Sequence, residues 1–436
     1  MQGLEETVHH LTRRATLGAI AAAGAMAGSG RLGAAARADV DGAAIHSIRV
    51  PLDHTQPNGA PLMLRYMLLS PFDSRRRTVF VVADGQQFYV TPEAFAPSVR
   101  PIFGDDFNVV GVVGRADCPD VQARVGAGAA VDWAQAYRLL RAEQWIDDLD
   151  AVRRALLGPE GRIGLYGRSG GAFLVHQYMA RHGRFADRVF TQAAVNPFVE
   201  ARYGLSSDHF WSELTADDRV RLSQLLARAS YPRTRIASLF QRQNFFVERA
   251  NLPAARSALI ADLADGRADR ISARESDYQI DALAKLDATS RGAAAHVRLF
   301  EFFAPVARSA PQDEAALHPD LEVSAAFAKP LMRLLQAGSI STPTMDFAAL
   351  HALPAQVFMV AGRWDHTCDY RTQIALASSY PVSELVLLDD DHVFHRLQES
   401  GQVGQLVRAV FTGRESPAYA AARANIEELR WLETAS

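Results

Sequence analysis

The chain has little cysteine, almost no lysine, no strong net charge and no long apolar run. Two cysteines in 436 residues, Cys118 and Cys368, are too few for a disulfide framework. Lys285 and Lys329 are the only lysines among 46 basic side chains, which leaves 44 arginines. Those arginines are scattered and outnumbered by 49 acids, so no basic stripe exists for a nucleic acid. The arginine skew matches the codon bias of a GC-rich genome. No segment approaches the ~20 consecutive apolar residues of a membrane span. Neither H-x-x-x-H nor C-x-x-C spacing occurs among the 13 histidines and two cysteines, so no metal and no cofactor is expected. What remains is a globular composition, 48% hydrophobic and 22% charged, with the length of one large domain or two ordinary ones.

The first forty residues carry an address. Leu11-Thr12-Arg13-Arg14-Ala15-Thr16-Leu17 precedes a mild apolar run from Gly18 to Gly28, and Ala36-Arg37-Ala38 forms an A-x-A-like cleavage site. Paired arginines before an alanine- and glycine-rich stretch resemble a twin-arginine export signal, with Thr16 where Phe is usual and Leu17 kept. Residues 1–38 are therefore expected to be a leader, and the mature protein periplasmic or secreted.

Beyond it, Ile45 to Leu52 and Pro61 to Leu69 read as a hairpin. Val79–Val82 and Val109–Val113 are continuous apolar runs, as expected of strands covered on both faces. Ala134–Leu157 has a helical period ended by Gly158-Pro159; a strand at Arg162–Tyr166, a helix at Gly171–Arg181 and a strand at Val189–Ala193 follow. Val357–Val360 and Leu385–Leu388 supply two more strands. This alternation predicts an α/β fold with a mostly parallel sheet flanked by helices. Residues 197–349 show helical periodicity without a convincing strand, for example at Arg219–Ala229, Ala254–Ala264 and Leu321–Leu335. That length is too great for a loop and predicts an inserted helical cap. Residues 39–196 and 350–436 then form the core.

Gly167-Arg168-Ser169-Gly170-Gly171 places G-x-S-x-G directly after a strand and before a helix. A nucleophile elbow forces serine into a tight turn, so the residues two before and two after must be small. A serine hydroxyl needs a base, and the base an orienting acid, in the chain order serine, acid, histidine. Asp365 lies just past the Val357–Val360 strand and His392 just past Leu385–Leu388. Carboxyl ends of parallel strands face one side of the sheet, so the three can converge. His395 and His366 compete with His392; His395 falls in the following helix and His366 adjoins the acid. Asp369 is the better candidate than Asp365 for capping the next helix. Three consecutive aspartates, Asp389 to Asp391, precede His392 and would raise its pKa if they face it, which the sequence leaves open. An oxyanion hole needs two backbone N–H groups: one from Gly170, the other from Gly85 or Gln86 in the loop after Val79–Val82.

These residues resemble the α/β-hydrolase superfamily. Val50 to Pro57 (VPLDHTQP), the Glu143–Leu156 helix, the elbow and the acid and histidine loops resemble the proline iminopeptidase and tripeptidyl aminopeptidase family of exported serine peptidases. The resemblance covers most of residues 45–200 and 350–412. It implies cleavage from a peptide N-terminus, with cap carboxylates holding the free amine; Glu200, Glu213, Glu248, Glu275 and Glu301 are available. Two loops depart from that family. Its usual G-G-P-G is here Asp84-Gly85-Gln86-Gln87, and of D-x-R-G-x-G-x-S only Arg115 is kept. The expected function is a serine hydrolase acting on a short peptide or another small molecule. A carboxylesterase or lactonase with the same triad is the second reading, and a non-catalytic binding protein on the same scaffold the third.

Overall fold

The branched apolar segments pair into one eight-stranded sheet. The computed structural model describes residues 43–85, 89–228, 231–280, 290–311 and 313–431. The expected leader and Gln86 lie outside the described residues. Strands β1 (Ala44–Pro51) and β2 (Pro61–Leu68) form the antiparallel hairpin, with Val50 opposite Leu62. They are followed by β3 (Thr78–Val82), β4 (Asn108–Val112), β5 (Ile163–Arg168), β6 (Ala186–Gln192), β7 (Gln356–Gly362) and β8 (Ser383–Leu388). The spatial order is β1-β2-β4-β3-β5-β6-β7-β8. β2 runs antiparallel to β4, and every pair from β4 to β8 is parallel.

The apolar runs are continuous because both faces of the sheet are covered. Alternate residues enter opposite cores: Phe80 and Val82 join Leu165 and Val189 on one face, while Val79 and Val81 join Tyr166 and Phe190 on the other. This order, with a serine-bearing turn after β5, is that of the α/β-hydrolase fold.

Between β6 and β7 every described element is a helix. Helices Ser290–Phe303 and Pro319–Gln336 lend Val297, Phe300, Ala328 and Leu331 to one face of the sheet. Others, including Arg233–Phe246 and Leu252–Ala264, gather Phe240, Leu259 and Ile260 into a separate apolar cluster.

The single helix expected over Ala134–Leu157 is instead two, Trp133–Leu140 and Ala142–Leu157. Arg141 between them is extended, with φ −62° and ψ 158°. The break is held open from outside: the Ala142 N–H, orphaned by the new helix start, donates to Glu301 Oε1 at 2.8 Å. Periodicity cannot register that partner, because it comes from the insert.

Arg115 ties the hairpin to this region. Buried, it donates from Nε to Asp148 Oδ2 at 2.8 Å and from Nη2 to Asp148 Oδ1 at 3.0 Å. Its Nη1 reaches the carbonyls of Leu52 and Leu139 and Gln144 Oε1. Asp148 also pairs with His54, and Gln144 with Asp53, so the VPLDHTQP segment and the Ala142–Leu157 helix share one buried polar network. Arg115→Ala would strand the Asp148 carboxylate. Urea unfolding should show a loss of about 3–5 kcal/mol; a loss below about 1 kcal/mol would contradict this account of the network.

Candidate active site

Ser169 occupies the turn between β5 and the helix Gly170–His182 with φ 50° and ψ −122°. A side chain rarely adopts this conformation, and it lifts the hydroxyl clear of the strand. Close packing explains the flanking glycines. A Cβ on Gly167 would come 2.8 Å from the Gly171 carbonyl, and one on Gly170 would come 1.8 Å from Asp84 Oδ2.

The structure brings Ser169, Asp365 and His392 together. His392 Nε2 lies 3.1 Å from Ser169 Oγ, and His392 Nδ1 lies 3.0 Å from each Asp365 carboxylate oxygen. Asp365 and His392 are both buried. Asp365 Oδ1 also accepts the N–H groups of Thr367 and Cys368, both at 2.8 Å, which orients the carboxylate. A carboxylate at Nδ1 assigns the ring proton there and leaves Nε2 to accept from the serine hydroxyl. Burial pulls the His392 pKa down, but the Asp365 charge and hydrogen bond, with the charges of Asp320 and Asp391, raise it above its ordinary value. The Cys368 thiol comes within 4.8 Å of the same carboxylate and imidazole. Burial first, then the surrounding acids, pushes its pKa well above the normal thiol value.

The competing residues are engaged elsewhere. His395 opens the helix His395–Glu399 and pairs through Nδ1 with Asp391 Oδ2 at 2.5 Å. His366 Nδ1 faces Glu213 Oε2 at 3.3 Å. Asp369 caps the helix Tyr370–Ala377, accepting the Arg371 N–H. The three aspartates before His392 have three separate tasks. Asp389 binds Trp364, Arg249 and Arg396. Asp390 accepts the N–H groups of Asp391, Arg396 and Leu397. Asp391 holds His395.

Gly170, the first residue of the helix Gly170–His182, directly follows Ser169. Gly85 follows β3 with φ +89°, and a Cβ there would meet the Trp145 ring at 2.7 Å. Gln86, the other candidate, is outside the described residues.

Of the five glutamates available as amine ligands, four have partners of their own and one is exposed. Glu213 is paired with Arg256 at 2.8 Å and Glu275 with Arg235 at 2.7 Å, while Glu248 is exposed. Glu301 is buried against Arg298 and the Ala142 N–H; burial pushes its pKa up to about 7. Glu200 accepts from Ser207, and burial, then that hydrogen bond in opposition, then the charges of Asp369 and Asp208 leave it at about 7.

Two other acids of the insert are buried or partly buried, and one of them acts on His392. Asp320 keeps accessible surface, accepts from Gln241 at 2.9 Å, and is close enough for its charge to raise the His392 pKa. Burial, followed by the charge of Asp208, pushes the Asp320 carboxyl up to about 7. The Asp208 side chain is 3% exposed, and its Oδ2 has no hydrogen-bond partner among the described residues. Both sit at helix starts, where an aspartate in sequence reads as a cap. Only the fold brings Asp320 within charge reach of His392 and sets Asp208 beside Asp320.

No protein-family model matches the sequence, and no curated protein does. Solved structures match at low identity. A bromoperoxidase from Bacillus anthracis is 15% identical, covering 83% of this chain and 98% of that one, with a TM-score of 0.41. A malate-bound thermophilic esterase from Thermogutta terrifontis is 13% identical, covering 84% and 98%, with a TM-score of 0.41. The 2-hydroxy-6-oxo-6-phenylhexa-2,4-dienoate hydrolase from Rhodococcus sp. strain RHA1 is 14% identical, covering 85% and 100%, with a TM-score of 0.40.

The contact between Gly170 and Asp84 can be tested by a mutant cycle. Gly170→Ala should cost on the order of 1–3 kcal/mol by denaturant unfolding, and adding Asp84→Gly should recover most of it. Additive losses would show that the two do not compete for one space.

Proposed function

We propose that this protein is a serine hydrolase that releases residues from the free N-terminus of short peptides. The reading rests on the continuous hydrogen-bond line from Ser169 Oγ through His392 to Asp365, at 3.1 and 3.0 Å. In the proposed reaction Ser169 Oγ attacks the scissile carbonyl carbon while its proton passes to His392 Nε2. Asp365 holds the imidazole and stabilises its charge. The Gly170 N–H and the loop of Gly85 and Gln86 receive the oxyanion. Collapse breaks the C–N bond, and the leaving amine takes the proton from His392. Water then enters by the same roles and frees the acyl group as a carboxylic acid.

Asp208 and Asp320 support a cationic substrate. A buried carboxylate oxygen without a donor is costly to leave unpaired, and an ammonium group supplies both donors and charge. Asp320, with a pKa pushed to about 7, ionises readily when a cation arrives. Peptides with free amines are therefore favoured over neutral esters. The Arg13-Arg14 leader supports export before the enzyme acts.

The test combines labelling with a substrate panel. A fluorophosphonate should label Ser169, and aminoacyl and short-peptide amides with free amines should turn over while their N-acetylated forms do not. Absence of label on Ser169 would remove the hydrolase reading; ester turnover without amide turnover would replace the peptidase with an esterase. Asp320→Asn should raise KM for free-amine substrates at least about tenfold and leave KM for neutral esters unchanged.

The labelling rate should also rise with pH through a midpoint above the ordinary histidine value of about 6.5, since His392 must be neutral to accept a proton. Asp365→Asn removes the charge that raises that pKa. It should move the midpoint down and slow labelling by up to about 10⁴-fold; an unmoved midpoint would contradict the assignment.

A further inference from the structure

Three side chains outside the hydrogen-bond line meet where the acid and histidine loops approach each other. Trp364 immediately precedes Asp365, and Asp389 lies three residues before His392. The Trp364 indole N–H donates to Asp389 Oδ1 at 2.7 Å. Arg249, from the insert, donates from Nη1 to the same oxygen at 2.7 Å. Its guanidinium carbon also lies 3.4 Å from the Trp364 ring centroid. Arg396 binds the other oxygen, Asp389 Oδ2, at 2.5 Å. Four residues earlier in the insert, near the end of the helix Arg233–Phe246, the Phe245 ring meets His392 edge to face at 5.1 Å between centroids.

We propose that Arg249 is a positioning residue: by joining Trp364 to Asp389 it sets the separation of the loops that carry Asp365 and His392. This rests on the reading of Ser169, His392 and Asp365 as the reacting groups. A cation stacked on an indole while hydrogen-bonded to a carboxylate is anchored in two perpendicular directions, which a lysine cannot match. The two loops are already linked through the backbone, Trp364 N–H to Asp390 O at 3.0 Å and Arg363 N–H to Leu388 O at 2.8 Å. Those bonds lie at the strand ends. Arg249 adds a side-chain tie at the same level, from the insert, to the side chains of Trp364 and Asp389. The insert thus bears on the chemistry by holding the histidine and its acid in register as well as by covering them. A misplacement of about 1 Å at reacting groups costs on the order of 100-fold in rate, so a modest surface contact has a large lever.

Fluorophosphonate inactivation of the full chain separates this from a purely structural contact, because it resolves probe binding (KI) from the serine's reaction (kinact). Arg249→Ala, with its melting temperature recorded, should lower kinact about tenfold with KI unchanged, and Arg249→Lys should fall between it and the parent. In the parent protein kinact should also decline severalfold between low salt and 1 M NaCl, as screening loosens the Arg249–Asp389 pair. Arg249→Ala should lack that decline, and the salt series decides the matter if this variant does not fold. A parental kinact in Arg249→Ala, a loss confined to KI, or a kinact insensitive to salt in the parent would overturn the proposal. If the parent itself is not labelled at Ser169, the underlying hydrolase reading fails instead.

Discussion

Ser169 and His392 lie 223 residues apart in the chain, yet a 3.1 Å hydrogen bond joins them, and much of the architecture is arranged around it. The serine must leave β5 in a conformation that side chains avoid, and Gly167 lets the helix that begins at once pack against the strand end. The histidine must come from the far edge of the sheet, after β8, with its acid from the strand between. Parallel pairing of β5, β6, β7 and β8 delivers all three loops to one edge. A register slip in any of those pairs would separate the groups by a whole residue repeat, about 3.3 Å.

The insert serves this line at several points. The insert meets the acid loop at three positions: Arg249 at Trp364, Glu213 at His366, and His209 at Asp369. Asp365 and Cys368 of the same loop approach His392. The loop's outer face is therefore shaped by the helices above it, and its inner face by His392. Charge is arranged in the same way. Acids outnumber bases close to the histidine, where Asp365, Asp320 and Asp391 together overcome the desolvation that would otherwise keep it neutral. Arginines hold the periphery.

The strand and helix alternation, the elbow and the order serine, acid, histidine were legible in the sequence because each depends on local patterns or on fixed chain order. G-x-S-x-G is a steric requirement written in adjacent residues. His392 could be preferred over His395 because helix periodicity begins at the latter. What could not be read depends on contacts between distant segments. The interruption at Arg141 is stabilised by Glu301, 159 residues later for its Ala142 partner. Asp208 and Asp320 look like ordinary helix-start aspartates, whereas the glutamates of the insert form ion pairs, accept from Ser207 or lie at the surface. Arg249 is one arginine among 44, and nothing in its neighbours marks it.

The central claim is that Ser169 forms a covalent acyl intermediate with the help of His392 and Asp365. The most direct measurement is rapid acid quenching of the enzyme during steady turnover of a short peptide amide, followed by mass analysis of its proteolytic fragments. The account predicts a mass increment equal to the acyl group on the fragment containing Ser169, with both increment and turnover lost in Ser169→Ala. Turnover that persists in Ser169→Ala, or an acyl group trapped on another residue, would contradict it.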